Sequence, residues 1–425
     1  MKALMNFLRH LDIPVLLLFL WFLFPGETRA EYLTLEIAEQ LALRTDPGLK
    51  AIQSRKESLD NLAVAASQLQ DPRIKFGVVS LPVDTFQLGQ EPMTQVQLGV
   101  QQHFPRGRTR QLSGTRFEKQ SQQQQATLAD QKLQIVRDVR WAYLEVFLQK
   151  RLATVLEQSA MLFHELNEIT TDYYASGRAQ QQDVLSAQLE YSKVQDRLTE
   201  TQQKGDMARV RLTELLGAGA FDPLSRDWPE LESAHSASDI QNQLLQHPRL
   251  QGLTSEMEVA ETGIELARQR YKPGFTLDAS YGARGGNNSD GSSRPDFMSV
   301  MVTMDLPLFA TNRQDRVVAA RVADSASAGF ARDDAWRRLR SEVDYQTVTL
   351  GRIDERITLY EKTLLPQAEF YAEAAFEAYQ DATGDLTSLV LARVTQYELS
   401  MDYARLRTEK LQIIASLLYL SGEAS

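Results

Sequence analysis

The sequence predicts a mainly α-helical fold with a small β part, written twice in tandem. Three observations predict it. The segment around Pro47 recurs without a gap around Pro248, at an offset of 201 residues. Each copy carries two short runs of alternating apolar residues, which is the strand signal. Each pair of runs is followed by a long, glycine-poor stretch with apolar residues at steps of three and four, which is the helix signal.

The duplication comes first, because it organises everything else. "DPGLKAIQSRKESLDNLAVAASQLQDPRIKFGVVS" lies over "HPRLQGLTSEMEVAETGIELARQRYKPGFTLDASY". Leu49 meets Leu250, Ala66 meets Ala267, Pro72 meets Pro273 and Phe76 meets Leu277. Further on, Pro105 lies against Pro307, Gly177 against Gly384, and "ELLG" ending at Gly217 against "YLSG" ending at Gly422. Two repeats follow, 31–223 and 224–425, joined at the Gly/Pro/Ser-rich "GAGAFDPLSRDWPELESAHSAS".

Each repeat has one order of elements. A short helix precedes Asp46-Pro47 or His247-Pro248, and a medium helix follows it. In the second repeat the stripe is Leu253, Met257, Ala260, Ile264, Ala267 and Tyr271. The strands are expected at about 73–79 and 94–103, then at about 275–282 and 298–306. Pro72, Pro105, Pro273 and Pro307 punctuate the strand–helix junctions. After Pro105 and Pro307 come helices of about 60 residues, or ~90 Å. Thr311 with Gln314 suggests a capping box at the second of these. Hairpin tips near 174–183 and 379–388 turn the chain into final helices of about 35 residues, by their apolar spacing.

The long helix of the first repeat carries two seams. One is Leu133, Val136, Tyr143 and Phe147, interrupted by Arg140; beside it runs Ile135, Val139, Ala142 and Val146. The returning helices show Val184, Ala187, Tyr191, Val194 and Leu198, then Val390, Val394, Tyr397, Met401 and Ala404. Steps of three and four mark coiled-coil contact. A helix with two seams has a neighbour on each side, as in a closed wall; periodicity alone equally describes an antiparallel coiled-coil rod. The strands favour the closed wall. Four strands cannot close a barrel, and an open sheet exposes its edges. Three chains would supply twelve strands and close it. A small β-cap on a soluble protein is the alternative.

Composition bounds the function. The chain has 425 residues, 43% hydrophobic and 24% charged, so it is not disordered by composition. Its formal net charge of −10 argues against a general nucleic-acid partner. There are no cysteines, which removes disulfides, thiolate metal sites, Cys nucleophiles and lipid attachment through Cys. The N-terminus carries Lys2 and Arg9, an apolar run from Ile13 to Phe24, and a small-x-small site at Thr28 and Ala30. It reads as a signal peptide over 1–30, which leaves a mature chain at −11. No later stretch is long and apolar enough for a spanning helix.

No enzyme chemistry emerges. The histidines at 10, 103, 164, 235 and 247 lack ligand spacing, and "HELNE" lacks the second histidine of a zincin. Met301 faces opposite to Met298 and Met304 on a strand, so the three do not converge on a metal. "NNSDGSS" lacks the downstream Glu of a Ca²⁺ loop, and "GARGG" is not a nucleotide fingerprint. No cofactor is expected.

Taken together, "LTLEIAEQLALRTDPGLKA", the duplication, the helix-Pro-strand junctions and the "Y-x-x-G…DVLSAQ" return resemble the TolC family of bacterial outer-membrane efflux channels. The resemblance covers about Leu33 to Gly422. It implies a homotrimer whose 12-stranded transmembrane β-barrel sits in outer-membrane lipid and continues as an α-helical barrel through the periplasm. It also implies partners, a periplasmic adaptor and an inner-membrane pump, with the trimer as their passive exit duct. Type I protein secretion and drug efflux are alternatives on the same fold. A periplasmic coiled-coil adaptor is the reading from outside it. "QQHFPRGRTR" is similar to the junction in the heavy-metal branch, which points to metal cations as cargo. The bland reading of Arg106, Arg108 and Arg110 is solvated charge at a helix start. The family often closes its periplasmic mouth with carboxylates on the second return. Here "SLVLA" (Ser388 to Ala392) stands where the first repeat has "DVLSA", so Asp381 and Asp385 are the substitutes. The tip and gate candidates are Gly177, Asp183, Asp381, Gly384 and Asp385.

Overall fold

A computed structural model describes residues 32–232 and 236–423. The signal peptide expected over 1–30 lies outside the described residues. The chain forms two compact units, one holding Asp138–Glu232 and Arg352–Ala415 with the N-terminal segment to Thr45, the other Asp46–Arg137, Ser233–Gly351 and the C-terminal segment from Ser416. Each sequence repeat contributes to both.

In the second unit, helices α2 (Pro47–Ala66) and α6 (Pro248–Gln269) start alike, while α1 (Leu35–Thr45) belongs to the first unit. Asp46 caps α2, its Oδ1 accepting the Leu49 N–H at 2.7 Å. His247 caps α6 through Nδ1, which accepts the Arg249 N–H at 3.2 Å. Proline at the first helical position costs no hydrogen bond, because that N–H has no intrahelical partner.

The strands β1 (Arg73–Val79), β2 (Gln95–Phe104), β3 (Phe275–Arg284) and β4 (Phe297–Met304) form one antiparallel sheet in that order. The two hairpins join through the inner strands, with Gln95 opposite Arg284 and Phe104 opposite Phe275. Directly paired residues share a face, so the register sorts the sheet into two faces. One face is a series of apolar rows: Ile74, Val100, Ala279 and Val300, then Phe76, Leu98, Tyr281 and Met298. Nothing among the described residues covers it, for Phe76 and Met298 are 78% and 79% exposed. The opposite face is polar. There Lys75 pairs with Asp278, Gln101 Nε2 donates to Asp278 at 3.2 Å, and His103 meets the Thr276 hydroxyl at 3.2 Å. Met301 lies on this polar side, opposite to Met298 and Met304. The fourth strand stops at Met304, short of the expected 306, because Pro307 has no N–H to donate and Leu308 turns its own onto the Leu306 carbonyl.

Helix α3 (Thr109–Ala175) has 67 residues, and the second repeat reaches the same length in pieces. Those pieces are α7 (Gln314–Leu359), one π turn over Tyr360–Leu364 and α8 (Leu365–Gln380). The π turn stands just before Pro366, whose missing N–H already breaks the regular ladder. Because α7 starts at Gln314, the capping box expected from Thr311 does not form there. Helices α4 (Gln181–Leu216) and α9 (Leu386–Ser421) return with 36 residues each. Between them lies α5 (Ala237–Gln243).

Both expected seams of α3 are buried apart from Ala142, which is half-buried. The first unit's core joins Leu156, Phe163 and Leu166 to Ala187 and Val194 on α4 and to Leu389, Tyr397 and Met401 on α9. Arg140, which interrupts a seam, is not wet. It is 4% exposed and gives Glu39 two hydrogen bonds, at 2.6 and 3.2 Å. A buried guanidinium is tolerated only when so matched, and losing one partner of such a pair costs about 3–5 kcal/mol. Leu33 is also fixed, its carbonyl accepting the Tyr143 hydroxyl at 2.8 Å while it bridges to Leu224. Burial pushes the Tyr143 phenol up to about 12.

In the second unit, buried His247 gives its Nε2–H to the Tyr419 carbonyl at 2.9 Å, and the Tyr419 hydroxyl reaches Asp130 at 3.0 Å. Burial, and then Asp130, pushes the Tyr419 phenol up to about 12. Burial lowers the His247 pKa from its ordinary 6.5, against smaller opposing pulls from the Tyr419 carbonyl and Asp130. Both ring nitrogens are already committed in the neutral form. The unfolded chain therefore takes up a proton below pH 6.5 that the folded chain refuses. Stability contributed by this site is present above 6.5 and is lost as pH falls towards the folded pKa. Thermal melts followed by helical circular dichroism should show this acid-side loss. His247→Asn, which can still cap α6, should flatten the slope below pH 6.5; an unchanged slope assigns the loss to other groups.

Candidate functional site

The two hairpin turns are in the first unit, and their hydrogen bonds correspond one for one at an offset of 205. Arg178 and Ala179 both donate to the Tyr173 carbonyl, at 2.7 and 3.2 Å; Thr383 and Gly384 both donate to Ala378, each at 2.9 Å. Gly177 donates to Tyr174 at 3.0 Å, and Ala382 to Tyr379 at 3.2 Å. This corrects the alignment of Gly177 with Gly384. The structural equivalent of Gly177 is Ala382, and both are left-handed, at φ +75° and +56°. Gly384 has no positive φ and is there for space. A Cβ on Gly384 would stand 3.0 Å from the Ala378 Cβ, whereas a Cβ on Gly177 would meet nothing within 4 Å.

The candidate acids fall into two kinds. Asp183 accepts the Gln180 N–H at 2.9 Å, at the start of α4. Asp385 N-caps α9, accepting the Ser388 N–H at 2.7 Å and its hydroxyl at 3.2 Å. Carboxylates there satisfy orphan donors and meet the positive end of a helix. Asp381 ends α8 with its backbone only; its exposed carboxylate makes no hydrogen bond among the described residues. The structure does not bring the three carboxylates of one chain into contact with each other.

What holds the turns together is a set of groups that apolar periodicity does not single out. The Tyr173 and Tyr379 rings stand 5.8 Å apart, and the Thr170 and Tyr379 hydroxyls are 3.3 Å apart. Arg178 stacks 4.2 Å over Tyr173. Arg393 is half-buried near Phe376 and bonds Gln396 at 3.0 Å. Burial lowers its guanidinium pKa, with Glu373 and Glu165 pulling the other way. The repeated tyrosines of "DYYASG" and "EAYQDATG" were the available signal.

At the strand–helix junctions each proline lies next to a strand end. Pro72 precedes β1, Pro105 follows β2, Pro273 stands two residues before β3, and Pro307 three residues after β4. Arg106 ties three of these junctions. Its guanidinium donates to the Arg270 carbonyl at 2.9 Å and to Asp305 at 3.2 Å. It is therefore not the solvated charge of the bland reading.

The chain matches the profile of the outer membrane efflux protein family over residues 39–218 and 240–423. A comparison with curated protein sequences finds no match. Among solved structures, it is similar to the outer-membrane channel OprN, at 17% identity and a TM-score of 0.78, covering 91% of this chain and 89% of that one. It is also similar to the outer membrane protein VceC of Vibrio cholerae, at 17% identity and a TM-score of 0.76, covering 92% and 96%. The Campylobacter jejuni CmeC outer membrane channel matches at 12% identity and a TM-score of 0.77, covering 91% and 85%. These likenesses establish the tandem-repeat channel fold.

The different demands at the turns predict different tolerances. Asparagine accepts a left-handed backbone, so Gly177→Asn should be nearly neutral, while Gly177→Val should cost about 2 kcal/mol. Gly384→Asn should be as harmful as Gly384→Val, because any Cβ comes within 3.0 Å of the Ala378 Cβ and the two helix ends must give way. Ala382→Gly should stabilise its turn by about 1 kcal/mol. Limited proteolysis at the turns and helical melts check this; asparagine rescuing both glycines would refute the assignment.

Proposed function

This chain belongs to the outer membrane efflux protein family, and we propose that it is the exit duct of a tripartite efflux system. As a homotrimer in outer-membrane lipid, it takes substrate passively from a periplasmic adaptor and an inner-membrane pump to the cell exterior. The observation that carries this reading is the sheet. It has four strands, an exposed apolar face, a polar opposite face and two edges, β1 and β4, without a partner strand among the described residues. Lipid does not tolerate unpaired backbone groups. Pairing β4 of one chain with β1 of the next satisfies both edges, and three chains make a 12-stranded barrel with the apolar rows outward and the polar rows lining a channel.

The reading is tested by fractionation. The protein should sediment with outer membranes and run as a trimer that collapses to monomer on boiling. A folded, monodisperse monomer in mild detergent would contradict it.

In the trimer the turns at Gly177 and Ala382 form a ring of six hairpin tips at the periplasmic mouth. Tips of two alternating sequences can pack closed or open, and a partner that binds the open ring better shifts the population. Asp381 is the gate acid of this reading, since its carboxylate is uncommitted, and Asp385 stands beside it as a cap. Asp381→Asn with Asp385→Asn keeps a capping side chain at 385 and removes the charge. It should raise leak conductance in planar bilayers or alter its block by cations. Unaltered conductance removes these acids from the gate. The cation cargo suggested by "QQHFPRGRTR" remains a proposal of the sequence, beside drug efflux and polypeptide secretion.

A further inference from the structure

The second unit contains an open groove of about 1020 Å³ over α6, flanked by α3 and α7. The flanking is fixed by small residues. A Cβ on Gly252 would stand 3.7 Å from Ala126 of α3, and one on Gly263 would stand 3.8 Å from Arg321 of α7. Five arginines line the groove: Arg106, Arg116, Arg270, Arg313 and Arg321. Only two carboxylates, Glu256 and Asp324, stand among them. Arg321 is paired with Asp324 at 3.0 Å, and Arg106 with Asp305 at 3.2 Å. Arg116, Arg270 and Arg313 are exposed and make no ion pair among the described residues. The groove is therefore basic in a chain whose net charge is −10.

One further feature suits an anion. The long helices α3 and α7 begin beside the groove, at Thr109 and Gln314, and their N-terminal ends carry partial positive charge.

The side on which the groove opens follows from His103. It lines the groove, and it lies on the polar face of β2, where it meets Thr276. Lys75 and Arg73 are on the same face, through their pairing with Gly99 and Gln101. The groove thus opens on the side away from the apolar rows. Its centre is α6, which leads into the inner strand β3, and its two walls are the first turns of α3, after the inner strand β2, and of α7, after the edge strand β4.

We propose that this groove is an anion-binding belt on the inner wall of the duct, and that the cargo is anionic where it passes: solutes bearing carboxylate, phosphate or sulfate groups rather than free metal cations. The proposal rests on the duct reading above and specifies its substrate class. Three copies of the groove around one axis reinforce each other, because a channel with low-dielectric walls focuses the field of charges that line it. Arginine suits the task, since its planar fork binds oxyanions in pairs of hydrogen bonds and never deprotonates. His103 and Arg106, which carry the likeness to a cation-exporting branch, belong to this positive wall.

The test compares wild type with the triple variant Arg116→Gln, Arg270→Gln, Arg321→Gln, all at exposed positions. Both should assemble as trimers with the same helical melt. The trisulfonate dye pyranine, added to detergent-solubilised trimers, should bind wild type with a rise in fluorescence anisotropy that falls with salt, and bind the variant about tenfold more weakly. Pyranine can enter through the barrel, so a closed periplasmic mouth does not mask the result. In planar bilayers under a KCl gradient, wild-type current should reverse on the anion-selective side and variant current should shift towards cation selectivity. Equal pyranine binding by the two proteins, no binding by either, or a wild-type reversal potential on the cation side overturns the anion belt and leaves the duct reading standing. Failure of wild type to form outer-membrane trimers overturns the duct reading and the belt with it.

Discussion

Backbone hydrogen bonds at the two edges of a four-stranded sheet constrain everything else in this chain. An unpaired edge presents a row of N–H and C=O groups that solvent can satisfy and lipid cannot. The exposed rows through Ile74 and Phe76 make water the wrong surrounding for one face. The sheet cannot be small, apolar on one side and stable by itself. The duplication supplies two hairpins, and the β2–β3 pairing joins them. That still leaves two edges, β1 and β4, without a partner strand among the described residues. The prolines at the junctions then switch the chain from a period of two to a period of 3.6, so that every strand hands over to a helix at the same level of the sheet.

The repeats diverge where the constraint is loose and agree where it is tight. The first strands stand at an offset close to 201 and the long helices at 205; the added residues lie around the second junction, between Pro273 and Gln314. The outgoing helical spans both have 67 residues and the returning ones 36. The proposed ring of tips accounts for the equal lengths, because one residue more would displace a tip by about 1.5 Å and rotate its contacts by about 100°. Pro366 did not shorten the second span; the π turn before it absorbed the lost hydrogen bond within the helix. The turns agree in their hydrogen bonds although only one has glycine at the left-handed position.

Most of the architecture was legible because it is periodic. The strands show as alternation, the seams as steps of three and four, and the repeat as an ungapped match. Three things were not legible, each for a physical reason. Glycine permits a left-handed φ and does not demand one, so matching Gly177 to Gly384 put two different needs in register; Ala382 bears the strain and Gly384 the close contact. Arg140 showed only as an interruption of a seam, because its partner Glu39 is about a hundred residues away. The junction groove draws its arginines from three separate segments, each unremarkable alone. Contacts between distant segments have no period, and a one-dimensional pattern cannot display them.

The same limit applies to charge. A net charge of −10 is a statement about the whole surface, and it bears on solubility and on nonspecific partners. It carries no information on the wall of a channel, whose field is set by the few groups that face it within about 8–10 Å in physiological salt. Here the helices carry a share of their acids as local pairs, such as Lys204 with Glu200 and Arg352 with Glu355, which cancel at that distance. The caps consume Asp46, Asp183 and Asp385 at helix starts, where they offset backbone dipoles. After these local neutralisations the arginines of the groove stand out, because Arg116, Arg270 and Arg313 make no ion pair among the described residues. An acidic protein can in this way present a basic interior surface without any contradiction in its composition.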